Sequence, residues 1–112
     1  MDDIYNLVLN SKVIVQFSQN SLSERELNLV SEALKKNDTI KEFFYTNNVI
    51  THNSLSLLAQ GFKLNKSLTI INLFGNKINC DGIKLIADYL EKNNTLTNLN
   101  LGEFFYLFFC YF

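Results

Sequence analysis

The feature that most constrains the fold is a repeat of 28 residues. Three stretches align without a gap from Ser11, Thr39 and Ser67, and a fourth begins at Thr95. A period of this length indicates stacked copies of one strand and helix unit, because a single unit cannot bury its own apolar face. The predicted organisation is a flank and candidate cap at 1–10, repeats at 11–38, 39–66, 67–94 and a partial 95–102 (together 11–102), and an aromatic tail at 103–112.

Each unit opens with the pattern of a short strand. Two apolar residues flank one intervening residue, and this alternation is typical of a strand with one buried face. The pairs are Val15 and Phe17, Phe43 and Tyr45, Ile71 and Leu73, and Leu99 and Leu101.

The second half of each unit has the spacing of a helix. Apolar or small residues recur at offsets of three, four and seven, which places them on one helical face. The predicted buried positions are Leu27, Val30, Ser31 and Leu34, then Leu55, Leu58, Ala59 and Phe62, then Ile83, Ile86, Ala87 and Leu90.

Polar residues mark both ends of these helices. Ser23, Thr51 and Asn79 occupy the register of an N-cap, and Ser23 with Glu26 has the spacing of a capping box. At the far ends, asparagines suit the left-handed conformation that terminates a helix. These asparagines are Asn37, Asn65 and Asn93.

A further asparagine recurs between strand and helix, at Asn20, Asn48 and Asn76. With these residues, the stretch "LTIINLFGNKINCDGIKLIADYLEKNNTLTNLNL" resembles the leucine-rich repeats of the ribonuclease-inhibitor subclass, which also occur in NOD-like receptors and in the activator of the Ran GTPase. The resemblance implies an α/β fold: a right-handed leucine-rich-repeat solenoid in a short horseshoe arc, with parallel strands on the concave side and helices on the convex side. It also implies that the repeated asparagines bond to the backbone of the adjacent turn.

The resemblance further implies that a partner meets the concave sheet. The candidate partner-binding residues are Glu42, Phe44, Ile70, Asn72, Phe74 and Asn100. Phe44 and Phe74 would form an apolar patch among polar neighbours, which is the usual content of a protein-binding hot spot. The alternative is that strand twist, or the pair Phe43 and Phe44, shifts the register and buries one of them.

Composition and residue types point away from other functions. The net charge of −1 offers no field for a phosphate backbone, and the apolar tail falls far short of the ~20 residues that span a membrane. We therefore expect neither nucleic acid nor a membrane as partner.

His52 is the only histidine and lies beside a predicted helix start, so we predict a surface or capping role for it. We also predict no metal, no cofactor and no enzymatic activity. Cys80 and Cys110 lack metal-site spacing and are predicted to be reduced thiols in a cytoplasmic chain.

The predicted function is a protein-protein interaction module, a fragment of a larger leucine-rich-repeat protein. The alternatives are a GTPase-activating or GTPase-regulating protein of the Ran activator type, or an inactive truncated product. The tail "FFYLFFCYF" is interpreted as translated intron, shifted frame or truncated gene model, with a hydrophobic cap and a membrane anchor as alternatives. Self-association could occur through an exposed C-terminal end.

Overall fold

Four parallel strands and four helices make up the computed structural model, which describes residues 3–10, 14–18 and 22–102. The helices are α1 (Asp3–Leu9), α2 (Glu24–Lys36), α3 (His52–Leu64) and α4 (Cys80–Glu91). The strands are β1 (Ile14–Ser18), β2 (Glu42–Thr46), β3 (Ile70–Asn72) and β4 (Asn98–Asn100). The strands lie in chain order, and each pairs in parallel with the next.

The 28-residue period of the sequence matches the pairing register of the sheet. Ile14 pairs with Glu42, Glu42 with Ile70, and Ile70 with Asn98, so each step across the sheet is 28 residues. A second set of bonds has the same step: the Thr69 hydroxyl donates to the Lys41 carbonyl oxygen at 3.1 Å. Equivalent positions of successive units are therefore direct neighbours across the strands.

The core lies between one face of the sheet and the helices. The predicted strand pairs point inward, and Phe43 and Tyr45 are at most 1% exposed. Phe62 of α3 joins the layers, because its ring lies 5.4 Å from that of Phe43 and 5.8 Å from that of Tyr89, measured between centroids. Such tilted and edge-on pairs add to the free energy gained by burial.

The N-caps form as the sequence predicts. The Ser23 hydroxyl accepts from the backbone N–H of Glu26 at 3.1 Å, and the Glu26 carboxylate accepts from the backbone N–H of Ser23 at 3.0 Å. Thr51 and Asn79 each accept from the N–H three residues on. These bonds satisfy N–H groups that have no partner within the helix.

The asparagines after the helices do not take the predicted left-handed conformation. Asn37 has φ of −86° and Asn65 has φ of −79°, both in extended backbone. The Asn65 side chain is instead buried, with its oxygen accepting from the backbone N–H groups of Ser67 and Leu68. The prediction of a left-handed residue is therefore wrong at these two positions, because side-chain hydrogen bonds stabilise a different turn.

The last helix also departs from the predicted pattern. Ile86 is 1% exposed, but Ala87 is exposed and Leu90 is 38% exposed. Their counterparts Ala59 and Phe62 are buried against α4. Within the described residues no helix follows α4, so in this part of the chain its outer side lacks the neighbouring helix that α3 has.

The coarse fold prediction is confirmed: this is an α/β fold with a parallel sheet and helices. The finer one, a right-handed solenoid in a horseshoe arc, is not what the structure shows. Four strands spaced ~4.8 Å apart extend only about 14 Å, too short to trace an arc.

The prediction of a reduced thiol is wrong for Cys80, because this residue is disulfide-bonded. Asn20, Cys110 and the tail 103–112 lie outside the described residues. The proposed division into repeats and flanks stays a prediction, although Val8 of α1 is fully buried in the core.

Candidate protein-binding face

The side of the sheet that faces away from the helices carries every predicted partner-binding residue. We call this the exposed sheet face. Phe74 is 46% exposed and Asn100 is exposed, while Glu42, Phe44, Ile70 and Asn72 are half-buried. Phe43 is fully buried beside half-buried Phe44, so the strand keeps the register that the sequence predicts.

Strand register sets the pattern of this face. One row across the sheet runs from Gln16 through Phe44 and Asn72 to Asn100. The neighbouring row runs from Ile14 through Glu42 and Ile70 to Asn98. Apolar and polar side chains are thus interleaved in both directions.

Phe44 and Phe74 are not stacked on one another. Phe44 pairs with Asn72, the last residue of β3, and Phe74 lies two residues further on, in the turn after that strand. Ring pairs among the described residues join Phe17 to Tyr45, Phe43 to Phe62 and Phe62 to Tyr89. The two outward aromatics therefore do not form an aromatic pair.

Ile14 belongs to this face and was missed in the sequence analysis. It is 53% exposed and begins the row that contains Glu42 and Ile70. The signal was present, because Ile14 precedes the inward residue Val15 as Glu42 precedes Phe43. Ile14 and Phe74 are the most exposed large apolar groups on the face.

Two of the predicted binding residues also shape the backbone. The Asn72 side-chain oxygen accepts from the Phe74 N–H at 2.9 Å, and the Asn100 oxygen accepts from the Gly102 N–H at 2.9 Å. Asn72 thereby helps to hold Phe74 at the end of its strand. Substituting either asparagine would alter the turn as well as the surface.

Two of the predicted structural asparagines, Asn48 and Asn76, lie in the described residues, and both are buried. Asn48 is 2% exposed and its amide donates to the Thr46 carbonyl oxygen at 3.0 Å. Asn76 is 1% exposed and donates to the carbonyl oxygens of Tyr45 at 2.6 Å and Leu73 at 2.8 Å. Asn76 thus ties the end of β3 to the end of β2.

The two tyrosines whose pKa is clearly shifted lie away from the exposed sheet face. Burial raises the pKa of Tyr89 to about 12 and also raises the pKa of Tyr45, both of them core residues. For Tyr45 the backbone N–H of Leu22 opposes this rise, while the charge of Glu26 adds to it. His52 begins α3 and is exposed.

Within residues 3–10, 14–18 and 22–102, no group of three or more His, Cys, Asp or Glu side chains could hold a metal ion. Over the same ranges, no helix has the length and hydropathy to cross a membrane.

Comparison with known proteins finds similarity to solved structures. No protein-family model matches the chain, and no curated protein matches it. Among solved structures, the chain is similar to one described as leiomodin-1 actin-binding site 2, with a TM-score of 0.80 and 29% identity. The match covers 91% of this chain but only 61% of that one.

This match corrects the family assignment. The predicted membership of the ribonuclease-inhibitor-like leucine-rich repeats is wrong. The similar solved structure is an actin-binding site of leiomodin, and the structure here is a four-stranded parallel sheet with four helices rather than a leucine-rich-repeat solenoid. What the comparison supports is the coarser prediction of a protein-binding module.

Proposed function

We propose that this domain binds actin through the exposed sheet face and acts by binding rather than by catalysis. The observation that carries the proposal is the similarity, over 91% of the chain, to a structure described as an actin-binding site. Because the chain spans 61% of that structure, the activity of the whole protein does not transfer with the fold.

The face has the composition of a protein interface. Ile14 and Phe74 are large apolar groups, about half exposed, among the neutral polar groups Gln16, Asn72 and Asn100. Interface cores are depleted of charge and enriched in aromatic anchors. Glu42 is the single charge in the two rows described above.

Regulation of a GTPase has less support. A regulator of this type would need polar and basic residues in the loops after the strands. Arg25, the only arginine, lies in the first turn of α2. No observation favours this alternative over actin binding.

Cytoplasmic location is part of the proposal because actin is a cytoplasmic protein. The disulfide at Cys80 is unusual in that reducing compartment.

Sedimentation with filamentous actin, and titration of monomeric actin, test the proposal. Ile14→Ser and Phe74→Ser should each weaken binding about tenfold or more if these side chains are hot spots. Leu64→Ser is the matched control, because Leu64 is 54% exposed at the end of α3 and lies off the face.

The outcomes separate the parts of the proposal. A wild-type chain that binds neither form of actin rejects actin as partner and favours the inactive fragment. Binding that is weakened equally by Leu64→Ser and Phe74→Ser rejects the exposed sheet face as the site. Circular dichroism of each variant checks that the fold is retained.

A further inference from the structure

The core is open at the last unit, on the outer side of α4 and β4. Apolar positions that are at most 8% exposed in the preceding unit are half-buried or exposed here, 28 residues further on. Leu90, for example, is 38% exposed, whereas its counterpart Phe62 is fully buried. Apolar surface of this kind favours the binding of a further apolar segment. We call these positions the open end: Ile83, Ala87, Leu90, Leu96, Leu99 and Leu101.

A disulfide starts on this side of α4. Cys80 is the first residue of the helix and is disulfide-bonded, and Cys110 is the only other cysteine in the chain. Cys80 and Ala87 are about two helical turns apart, so they lie on one face of α4. That face is the outer one, because Ala59, the counterpart of Ala87, lines the groove between α3 and α4 with Tyr89. The residue bonded to Cys80 is therefore held beside the open end.

The chain is long enough to bring Cys110 to Cys80. Gly102 and Ile78 line one small cleft at the ends of the strands, and Ile78 lies two residues before Cys80. The gap from Gly102 to Cys80 is thus the width of a cleft plus two residues. Eight extended residues, the number from 103 to 110, reach about 26–29 Å. The segment 103–109 is therefore longer than the gap and can pass over the neighbouring surface.

The open end has a near half beside Cys80 and a far half away from it. Ile83 lies one turn from Cys80, and Leu101 follows β4 at the end of the sheet where α4 begins, so these two residues form the near half. Leu90 lies about 15 Å along α4 from Cys80. Leu96 precedes β4, at the opposite end of the strand from Leu101. Leu90 and Leu96 form the far half.

We propose that the segment 103–109 covers the near half of the open end and that a disulfide between Cys80 and Cys110 holds it there. After Glu103 the segment consists only of Phe, Tyr and Leu, which suits an apolar surface. A segment that leaves Gly102 and returns to Cys80 passes over the near half, whereas the far half lies beyond the link. Among the interpretations of the tail, this favours the hydrophobic cap.

The cover is sensitive to the redox state of the two cysteines. A dithiol reductant attacks the disulfide through its thiolate, becomes a cyclic disulfide itself, and leaves Cys80 and Cys110 each with a thiol. Two electrons and two protons pass from the reductant to the cysteines. Reduction therefore frees the segment and uncovers the near half. This inference goes beyond actin binding, because it concerns the outer side of α4 and the core rather than the exposed sheet face.

The first measurement identifies the partner of Cys80. The full chain is oxidised with glutathione disulfide, digested without reductant and analysed by mass spectrometry. We expect the peptide with Cys80 to be linked to the peptide with Cys110, and the intact protein to migrate as one chain in non-reducing electrophoresis. Two free thiols, or a link between two chains, would overturn the proposal.

The second measurement reports how far solvent reaches each half of the open end. Isoleucine and leucine methyl groups are labelled with carbon-13, and a soluble gadolinium chelate accelerates the relaxation of those that solvent reaches. Methyl relaxation at Ile83 and Leu101 should be slower in the oxidised wild type than in Cys110→Ser. Adding a dithiol to the wild type should give the same increase. Relaxation at Leu90 and Leu96 should be equal in all three samples.

Cys80→Ser is the matched variant, because it removes the same bond from the other side, and it should reproduce Cys110→Ser. Circular dichroism checks the fold of both, and the reduced wild type supplies the comparison if either variant unfolds. Equal relaxation at Ile83 and Leu101 with and without the disulfide would overturn the proposal. Relaxation there that changes with protein concentration instead of redox state would assign the open end to a second copy of the chain and would also overturn it.

Discussion

The side-chain amide of Asn65 donates to the backbone carbonyl oxygen of Asn37 at 2.9 Å. Asn37 occupies the equivalent position in the preceding unit, 28 residues earlier. Asn37 in turn donates to the carbonyl oxygens of Val8 at 3.4 Å and Leu9 at 2.9 Å. Each asparagine thus ties the end of one helix to the unit before it. The series links the loop before β3 to α1 through buried hydrogen bonds.

Replacing Asn65 by alanine should destabilise the domain strongly. The change removes donors to the carbonyl oxygens of Leu34 and Asn37 and leaves the N–H groups of Ser67 and Leu68 without their acceptor. We expect a loss of about 3–5 kcal/mol in the free energy of unfolding, measured by urea denaturation. Asn94→Ala, at an exposed site, should change it by less than about 0.5 kcal/mol. Similar midpoints for the two variants would contradict the prediction.

The sequence predicted local elements well because each depends on neighbours in the chain. Alternation placed Phe43 inward and Phe44 outward, and the capping spacing of Ser23 and Glu26 formed as expected. The conformation at Asn65 could not be predicted from its neighbours in the chain. Asparagine suits both a left-handed turn and a buried side-chain bond, and the choice depends on a carbonyl 28 residues away.

The repeat pattern does not predict burial correctly in α4, the last helix of the described residues. Ala87 and Leu90 were predicted to be buried because their counterparts in α3 are, but packing depends on the presence of a next helix. The family assignment failed for a related reason, since a 28-residue spacing specifies strand and helix units without identifying the family. On the exposed sheet face, Ile14 was missed although it follows the same alternation as Glu42.

Gly61→Ala should destabilise the domain even though alanine favours helix. A Cβ atom at Gly61 would lie 2.9 Å from the Cα and hydroxyl oxygen of Ser31, so α2 and α3 would have to separate. Alanine gains about 1 kcal/mol in helix propensity, whereas overpacking costs about 1–3 kcal/mol. Because the atoms that the Cβ would meet include the backbone of Ser31, we expect a net decrease in the melting temperature. Gln60→Ala, exposed on the same helix, is the control, and a raised melting temperature for Gly61→Ala would contradict close packing.

Val8→Ala should show whether α1 closes the first end of the core. Val8 is fully buried, whereas the adjacent Leu7 is 58% exposed. Removing two buried methyl groups should cost about 2 kcal/mol in the free energy of unfolding. Leu7→Ala removes more carbon from the exposed side of the same helix and should cost under about 0.5 kcal/mol. Equal small losses in chemical denaturation would show that α1 contributes little to the core.

Tyr89 should make stability depend on alkaline pH. Burial raises its pKa to about 12, while a tyrosine in the unfolded chain has a pKa near the ordinary value of 10.0. Between these values the unfolded chain has released the proton and the folded chain still holds it. The contribution of Tyr89 to the free energy of unfolding is therefore complete below pH 10.0. It is lost as the pH rises toward 12, at about 1.4 kcal/mol per pH unit.

Tyr89→Phe isolates this effect. The variant loses the hydrogen bond that Asn93 donates to the tyrosine hydroxyl at 3.2 Å, which should cost about 1 kcal/mol near neutral pH. It has no proton to release, so its stability should fall less steeply than that of the wild type above pH 10.0. Urea midpoints measured for both chains across this interval should converge and then cross. Parallel curves would mean that Tyr89 ionises in the folded domain as readily as in the unfolded chain.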